Sequence, residues 1–213
     1  MSEHFDKIKE AILNGKHAEI ESLVQAAIEG KTDLDQIIND AMIGAMDIVG
    51  RKFAQNEIFI PEMLVAAVTM KKGLDIIKPL LKSDEIKSKG RVIMTTVKGD
   101  LHDIGKNLVI MMLQGAGFDV IDLGVDTSTE QLVQKVEEIK PDILGLSALL
   151  TTTMPEIINV IEALKDKGLR NSVKIMVGGA PLNVAFAEKV GADGYGRNAA
   201  EAVELARSLV SAK

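Results

Sequence analysis

The stretch from Lys98 to Lys106, KGDLHDIGK, places two aspartates, a histidine, two glycines and two lysines in nine positions, directly after an apolar run. A histidine beside carboxylates could chelate a bare metal, activate a nucleophile, or serve as a single ligand to a metal held by something else. A protein-only zinc site needs three or four protein ligands, and this stretch offers one imidazole and some carboxylates. Ser147 and Thr151–Thr153 supply hydroxyls further along the chain, but no second histidine is placed to act as their base. One imidazole buttressed by an acid fits the third task best: an axial ligand to a metal carried in its own macrocycle, with the carboxylate fixing the ring from behind. Two plainer roles compete for the acids. Asp103 stands where a helix cap would stand before Ile104, and Asp100 suits a turn. His4 and His17, in polar or charged helical contexts, read as solvated surface residues.

The elements that must position these residues change character along the chain. Residues 1–88 carry a helical period. Ile20, Leu23, Val24, Ala27 and Ile28 form one stripe, which Gly30 ends. Thr32 with Asp35 resembles a capping box opening a third helix, whose stripe is Ile38, Met42, Ala45, Val49 and Phe53. Pro61 suits the first turn of a fourth, with a stripe of Met63, Ala67, Met70, Leu74, Ile77 and Leu81. With a short first helix around Phe5, Ile8 and Ile12, this half is expected to be a four-helix bundle. Residues 82–90, KSDEIKSKG, are polar and end in glycine, as a linker does.

From 91 onward short β-branched runs alternate with helical stretches, five of each. RVIMTTV, FDVIDLG, PDILGLSAL, SVKIMVGG and ADGYG are the expected strands. The first, third and fourth are apolar on both faces, as buried parallel strands are. The expected fold is α/β: a flavodoxin-like (Rossmann-type) doubly wound five-stranded parallel sheet in the order 2-1-3-4-5, preceded by the helical bundle. Domains of 1–88 and 89–213 follow. In such a sheet ligands bind beyond the carboxyl ends of the strands, at the switch between strands 1 and 3. Lys98–Asp103, Ser147–Thr153, Gly178–Gly179–Ala180 and Gly194–Tyr195–Gly196 would all open on that edge.

Composition removes several classes. There is no cysteine among the 213 residues, which excludes disulfides, thiolate metal sites and cysteine nucleophiles. Net charge is −6, and residues 1–88 hold 11 Lys and Arg against 15 Asp and Glu, so no basic footprint for nucleic acid is expected. No apolar run reaches the roughly 18–20 residues of a membrane span. The opening MSEHFDKIKE lacks the pattern of a secretory leader. A cytoplasmic, non-membrane protein is the expectation.

The residues now in view resemble a known family. Asp100-Leu101-His102-Asp103-Ile104-Gly105 is similar to the D-x-H-x-x-G motif of cobalamin-binding domains. Ser147-Ala148-Leu149 resembles the family's S-x-L motif, and Gly178-Gly179 its double glycine. The helical half with IFIPEML (58–64) resembles the cap beside this domain in methionine synthase. The layout and length together resemble the small corrinoid proteins of methanol, methylamine, betaine and aryl-ether methyltransferase systems, over essentially the whole chain.

The resemblance implies a cofactor, cobalamin or a related corrinoid, bound base-off with His102 as the lower axial ligand of cobalt. Asp100 would accept a hydrogen bond from the other ring nitrogen. Thr153 would stand where methionine synthase has the serine, six residues after the S-x-L serine, that completes this relay. Ser147 would contact the dimethylbenzimidazole tail, and Gly178, Gly179, Ala180 and the loop around Gly196 would line its slot. Gly99, Leu101, Asp103, Ile104 and Gly105, with Leu149 and Thr151, complete the implied cofactor contacts. An apolar face of Phe59, Met63, Ala67 and Met70 would shield the upper corrin face, with 82–90 mobile so that the cap can move.

The implied function is that of a methyl carrier without turnover of its own. It would take a methyl group from a methylated substrate through a substrate-specific corrinoid methyltransferase. It would deliver it through a second methyltransferase to tetrahydrofolate or coenzyme M. A reductive activase is a further partner of such systems. A cobalamin-dependent sensor would need a DNA-binding module, which the charge balance of 1–88 opposes. An adenosylcobalamin mutase small subunit usually lacks the helical cap, and a flavodoxin-like domain without corrinoid leaves the three motifs unexplained.

Overall fold

A computed structural model describes residues 2–80 and 88–211. The chain divides into two compact units. One comprises Met1–Ser88 with Gln114–Gly117, the other Lys89–Leu113 with Phe118–Lys213. The expected linker at 82–90, with its expected mobility, lies outside the described residues apart from 88–90, and so does Leu81.

In the helical unit the apolar positions bury themselves as their spacing requires. Helix α1 (Ser2–Leu13) buries Ile8, Ala11 and Ile12, and α2 (Ile20–Glu29) buries Ile20, Val24 and Ala27. Gly30 caps α2 through its N–H to the Ala26 carbonyl, 3.0 Å, but the left-handed residue that turns the chain is Lys31, with φ 57°. The third helix is composite: α3 (Leu34–Gln36), a π-helical stretch Ile37–Ile43, and α4 (Gly44–Ala54). Its cap is Asp33, whose carboxylate accepts from the Gln36 N–H at 3.0 Å, one residue later than the Thr32 expected. Thr32 is itself buried. The wider π turn rotates the apolar stripe, so Ile37, Ala41, Met42, Ala45, Met46 and Val49 are buried while Ile38 and Phe53 are only half-buried. Helix α5 (Ile60–Ile77) begins with Pro61 in its first turn, and Glu62 accepts from the Phe59 N–H at 3.1 Å. Of the four residues expected to form one apolar face, Met63, Ala67 and Met70 are buried, whereas Phe59 is 63% exposed. His17 is not simply solvated. Its Nδ1 lies 2.6 Å from the hydroxyl of the buried Thr69, which donates to the Val65 carbonyl, so the ring N–H is the donor to that hydroxyl.

The second unit is an all-parallel sheet in the order β2-β1-β3-β4-β5, the order expected. Its strands are β1 (Arg91–Thr96), β2 (Asp119–Asp122), β3 (Ile143–Ser147), β4 (Lys174–Gly178) and β5 (Gly194–Gly196). Strands β1, β3 and β4 are buried along nearly their whole length, and the edge strand β2 is not. Helices α6 (Ile104–Gly115), α7 (Thr129–Ile139), α8 (Met154–Asp166), α9 (Val184–Val190) and α10 (Ala199–Ser211) alternate with them. Ile93, Val97, Leu144, Leu146, Ile175 and Val177 form one core with α7, α8 and α9, while α10 packs against β3, β4 and β5. Right-handed crossovers put helices on both faces of such a sheet, so its strands read as unbroken apolar runs.

Register brings one row of residues to the carboxyl edge: Thr96 pairs with Ser147, Ser147 with Gly178, and Gly178 with Gly196. The chain leaves β4 through Gly179, at φ 134°, with its Cα against the backbone of Ala148. A methyl group there would overlap the Ala148 carbonyl oxygen. Gly179→Ala should therefore destabilise the fold by about 2–4 kcal/mol in denaturant titrations, combining overpacking with a left-handed backbone that alanine resists. A loss below about 0.5 kcal/mol, the range of an ordinary surface substitution, would contradict the packing described.

Candidate functional site

The site begins where β1 ends. Val97 is bridged to Thr127 on one side, and its N–H donates to the Ser147 carbonyl on the other. Gly99, at φ 79°, then turns the chain, and Asp100 points its carboxylate back beneath the loop, with no exposure at all. Every acceptor position on that carboxylate is used. Oδ1 accepts from the His102 backbone N–H at 3.0 Å and from its ring Nδ1 at 2.8 Å. Oδ2 accepts from the N–H groups of Leu149 at 2.7 Å and Leu150 at 3.3 Å, and from the Thr153 hydroxyl at 2.8 Å. Asp100 is thus a turn residue that also ties the β1 loop to the loop after β3.

Two opposed effects set the proton affinity of Asp100. Burial is the largest single influence and favours the neutral acid. The backbone N–H groups of Leu149 and His102, the His102 ring and the Thr153 hydroxyl outweigh it together and hold the carboxyl well below the usual carboxylate range. An ionised carboxylate only accepts hydrogen bonds, so Nδ1 of His102 must carry the shared proton. In the neutral ring this leaves the Nε2 lone pair for another ligand. The His102 side chain is 51% exposed, and Nε2 has no partner among the described residues.

The loops that carry His102 and its partners also bring apolar side chains to the surface. Leu101 is 69% and Ile104 78% exposed, and Leu149 and Leu150 also reach solvent. A methyl group added at Gly105 would meet nothing within 4 Å. Asp103 precedes α6, and its carboxylate accepts from the Asn107 side chain at 2.9 Å. Among the described residues no three of His, Cys, Asp and Glu are grouped to hold a metal ion. One half-exposed imidazole with a fixed tautomer falls short of the three or four ligands of a protein-only zinc site. It fits a metal whose other coordination positions are filled by a macrocycle.

The sequence-expected residues fall into three sets. Asp100, His102, Leu149 and Thr153 are joined by direct hydrogen bonds. Ser147, Gly178 and Gly196 share one row of the sheet, and the Ser147 hydroxyl has no partner among the described residues. Thr151 and Ala180 are exposed, and Thr151 takes no part in the hydrogen bonds around Asp100. The glycines also have a reason within the protein: a Cβ on Gly178 would press on the Gly196 carbonyl and one on Gly196 on Ala202.

Comparison with known proteins decides the family. Residues 90–204 match the model of the B12 binding domain, and residues 4–78 match a second model described as a B12 binding domain. The chain belongs to the B12-binding corrinoid proteins. A corrinoid protein of Desulfitobacterium hafniense is 40% identical over 208 residues, covering 96% of each chain. Dimethylamine corrinoid protein 1 of Methanosarcina acetivorans is 44% identical over 192 residues, 88% of this chain and 90% of that one. Among solved structures, the methanol:cobalamin methyltransferase complex of Methanosarcina barkeri matches with a TM-score of 0.89 at 32% identity, over 99% of this chain and 81% of that one.

Two residues of this corrinoid protein escaped the reading of the sequence. Lys106 is buried in α6, where its ammonium donates to Asp122 at 2.7 Å and to Asn107 at 2.9 Å. Its signal was a lysine inside the apolar helix IGKNLVIMML. Asp126, in the loop after β2, accepts from the Gly99 N–H at 2.6 Å. In sequence it passes for one more polar residue of GVDTSTE.

Removing the Asp100 charge has a defined consequence. Asp100→Asn puts an NH2 group against donors and should cost about 2–4 kcal/mol at neutral pH. Asp100 binds its proton less readily folded than unfolded. The advantage of wild type should therefore be complete above the ordinary carboxylate range, near pH ~4, and fade as pH falls through it. Paired denaturant titrations from neutral to acid pH check this, and an advantage that grew on acidification would contradict it.

Proposed function

We propose that this protein is a methyl carrier that binds a corrinoid base-off, with His102 Nε2 as the lower axial ligand of cobalt. The observation that carries this reading is the hydrogen bond from the His102 ring to a wholly buried, anchored Asp100. When bound, a corrinoid cobalt supplies a centre that accepts a methyl group and releases it again.

The chain's own residues supply the rest. Asp100 holds the Nδ1 proton, so the imidazole presents Nε2 in one tautomer and one direction, and an anionic partner makes that nitrogen a better donor to metal. Thr153, Leu149 and Leu150 hold Asp100 against the pull of its own solvation. Leu101, Ile104 and Leu149 are exposed apolar side chains on the same two loops, a surface suited to an apolar cofactor. The unpartnered Ser147 hydroxyl and the small residues Gly178, Gly179 and Ala180, with Gly196, suit the cofactor's displaced tail. The helical domain at 1–88 and the α/β domain at 89–213 are separate domains, and the second carries the corrinoid.

The relatives' names support a place in a methyltransferase system and differ in the methylated compound they mention, dimethylamine in one and methanol in another. We therefore assign donor choice to a partner: a substrate-specific methyltransferase delivers the methyl group, and a second passes it to tetrahydrofolate or coenzyme M. A reductive activase would be a further partner on this reading.

The first experiment is the visible spectrum of protein loaded with hydroxocobalamin and desalted, beside His102→Ala. Wild type should retain pigment with the cofactor's own base displaced. His102→Ala should lose the pigment or the spectrum of protein nitrogen on cobalt. A colourless wild type, under conditions that load a known corrinoid protein, would overturn the proposal.

A further inference from the structure

Asp100 is held from above by the loop after β3, but that leaves the turn that carries it to be held from its other side. The loop between β2 and α7 does this. Its residues are stitched to the end of β1: the Thr96 N–H donates to the Gly124 carbonyl at 3.1 Å, the Thr127 N–H to the Thr96 carbonyl at 3.2 Å, and the buried Thr95 hydroxyl to the Thr127 hydroxyl at 2.7 Å. This anchored loop presents Asp126 to the 99–100 turn.

Asp126 grips the turn at two points. Its carboxylate accepts from the Gly99 N–H at 2.6 Å, and its own N–H donates to the Asp100 carbonyl at 3.1 Å. These two peptide groups bracket the Gly99–Asp100 pair. Gly99 is at φ 79°, a conformation that glycine enters and leaves freely, so the turn needs an external restraint to keep one shape. Asp126 is itself at φ 53°, which a short polar side chain tolerates better than most. The bond from an anionic oxygen to a backbone N–H is of the stronger, charge-assisted kind.

We propose that Asp126 is a positioning residue for His102. By fixing the Gly99–Asp100 turn it sets where the Asp100 carboxylate lies, and through it the tautomer and direction of the imidazole. Its ligand-binding consequence rests on the corrinoid reading above, whereas its effect on the ring does not.

Two variants separate side chain from backbone. Asp126→Gly accepts the left-handed φ without strain and removes the acceptor. Asp126→Asn keeps an acceptor oxygen and tolerates the same φ. Thermal unfolding of each verifies the fold. In the full chain without corrinoid, long-range ¹H–¹⁵N spectra of the imidazole should show wild type and Asp126→Asn with Nδ1 protonated and Nε2 bare, and Asp126→Gly with the two neutral tautomers mixed. With hydroxocobalamin, Asp126→Gly should bind at least about 10-fold more weakly and show less protein nitrogen on cobalt, as loss of a ligand's supporting contacts does. Asp126→Asn should restore most of both. A His102 ring in Asp126→Gly with the wild-type tautomer overturns the proposal, whatever the corrinoid does. If wild type binds no cobalamin, the corrinoid reading fails and the tautomer comparison still decides this one.

Discussion

The candidate site depends on one buried negative charge. An isolated carboxylate inside a protein would take up a proton, because burial penalises its ionised form. Asp100 remains ionised since the chain converges three N–H groups, a hydroxyl and an imidazole on its two oxygens. That ionisation dictates the His102 tautomer, and the tautomer leaves Nε2 free to act. Were Asp100 neutral, it would be a donor as well as an acceptor, and the ring could present either nitrogen.

The parallel sheet makes this convergence possible. Strand order 2-1-3-4-5 reverses direction between β1 and β3, so this is the switch point beyond whose carboxyl ends sheets of this kind bind ligands. Asp100 joins the loops on either side of it, reaching from the β1 loop to N–H groups 49 and 50 residues along the chain. The β2 loop closes the other side through Asp126. The relay is therefore braced by the loops on both flanks of β1, each carried on a strand paired to it.

Polar side chains that read as surface or turn residues are used inside the structure for similar reasons. Lys106 is buried because Asp122 and Asn107 neutralise and solvate its ammonium, and its position ties the first turn of α6 to the end of β2. His17 finds the Thr69 hydroxyl across the helical unit. In each case burial is tolerated because the partner is charged or already oriented by another bond.

How much was legible in the sequence follows from the range of the interactions involved. The alternation of apolar runs and the glycines at strand ends are local patterns, and they determined the fold class and the strand order, while the D-x-H-x-x-G resemblance singled out His102 and Asp100, which the structure joins by a hydrogen bond. Helix stripes were legible except where backbone geometry departed from the regular period: at the π turn Ile37–Ile43, Ile37 is buried in place of Ile38 while Met42, Ala45 and Val49 are buried as expected, and Asp33 displaced Thr32 as cap. Only the tertiary structure decided the protonation of the relay, because it depends on N–H groups of Leu149 and Leu150 brought to Asp100 by sheet pairing. Only it distinguished Asp126 from its polar neighbours, since the Gly99 N–H it restrains lies 27 residues away. Sequence spacing carries what one element does with its own residues. Which charge meets which donor is decided when strands from distant parts of the chain come into register.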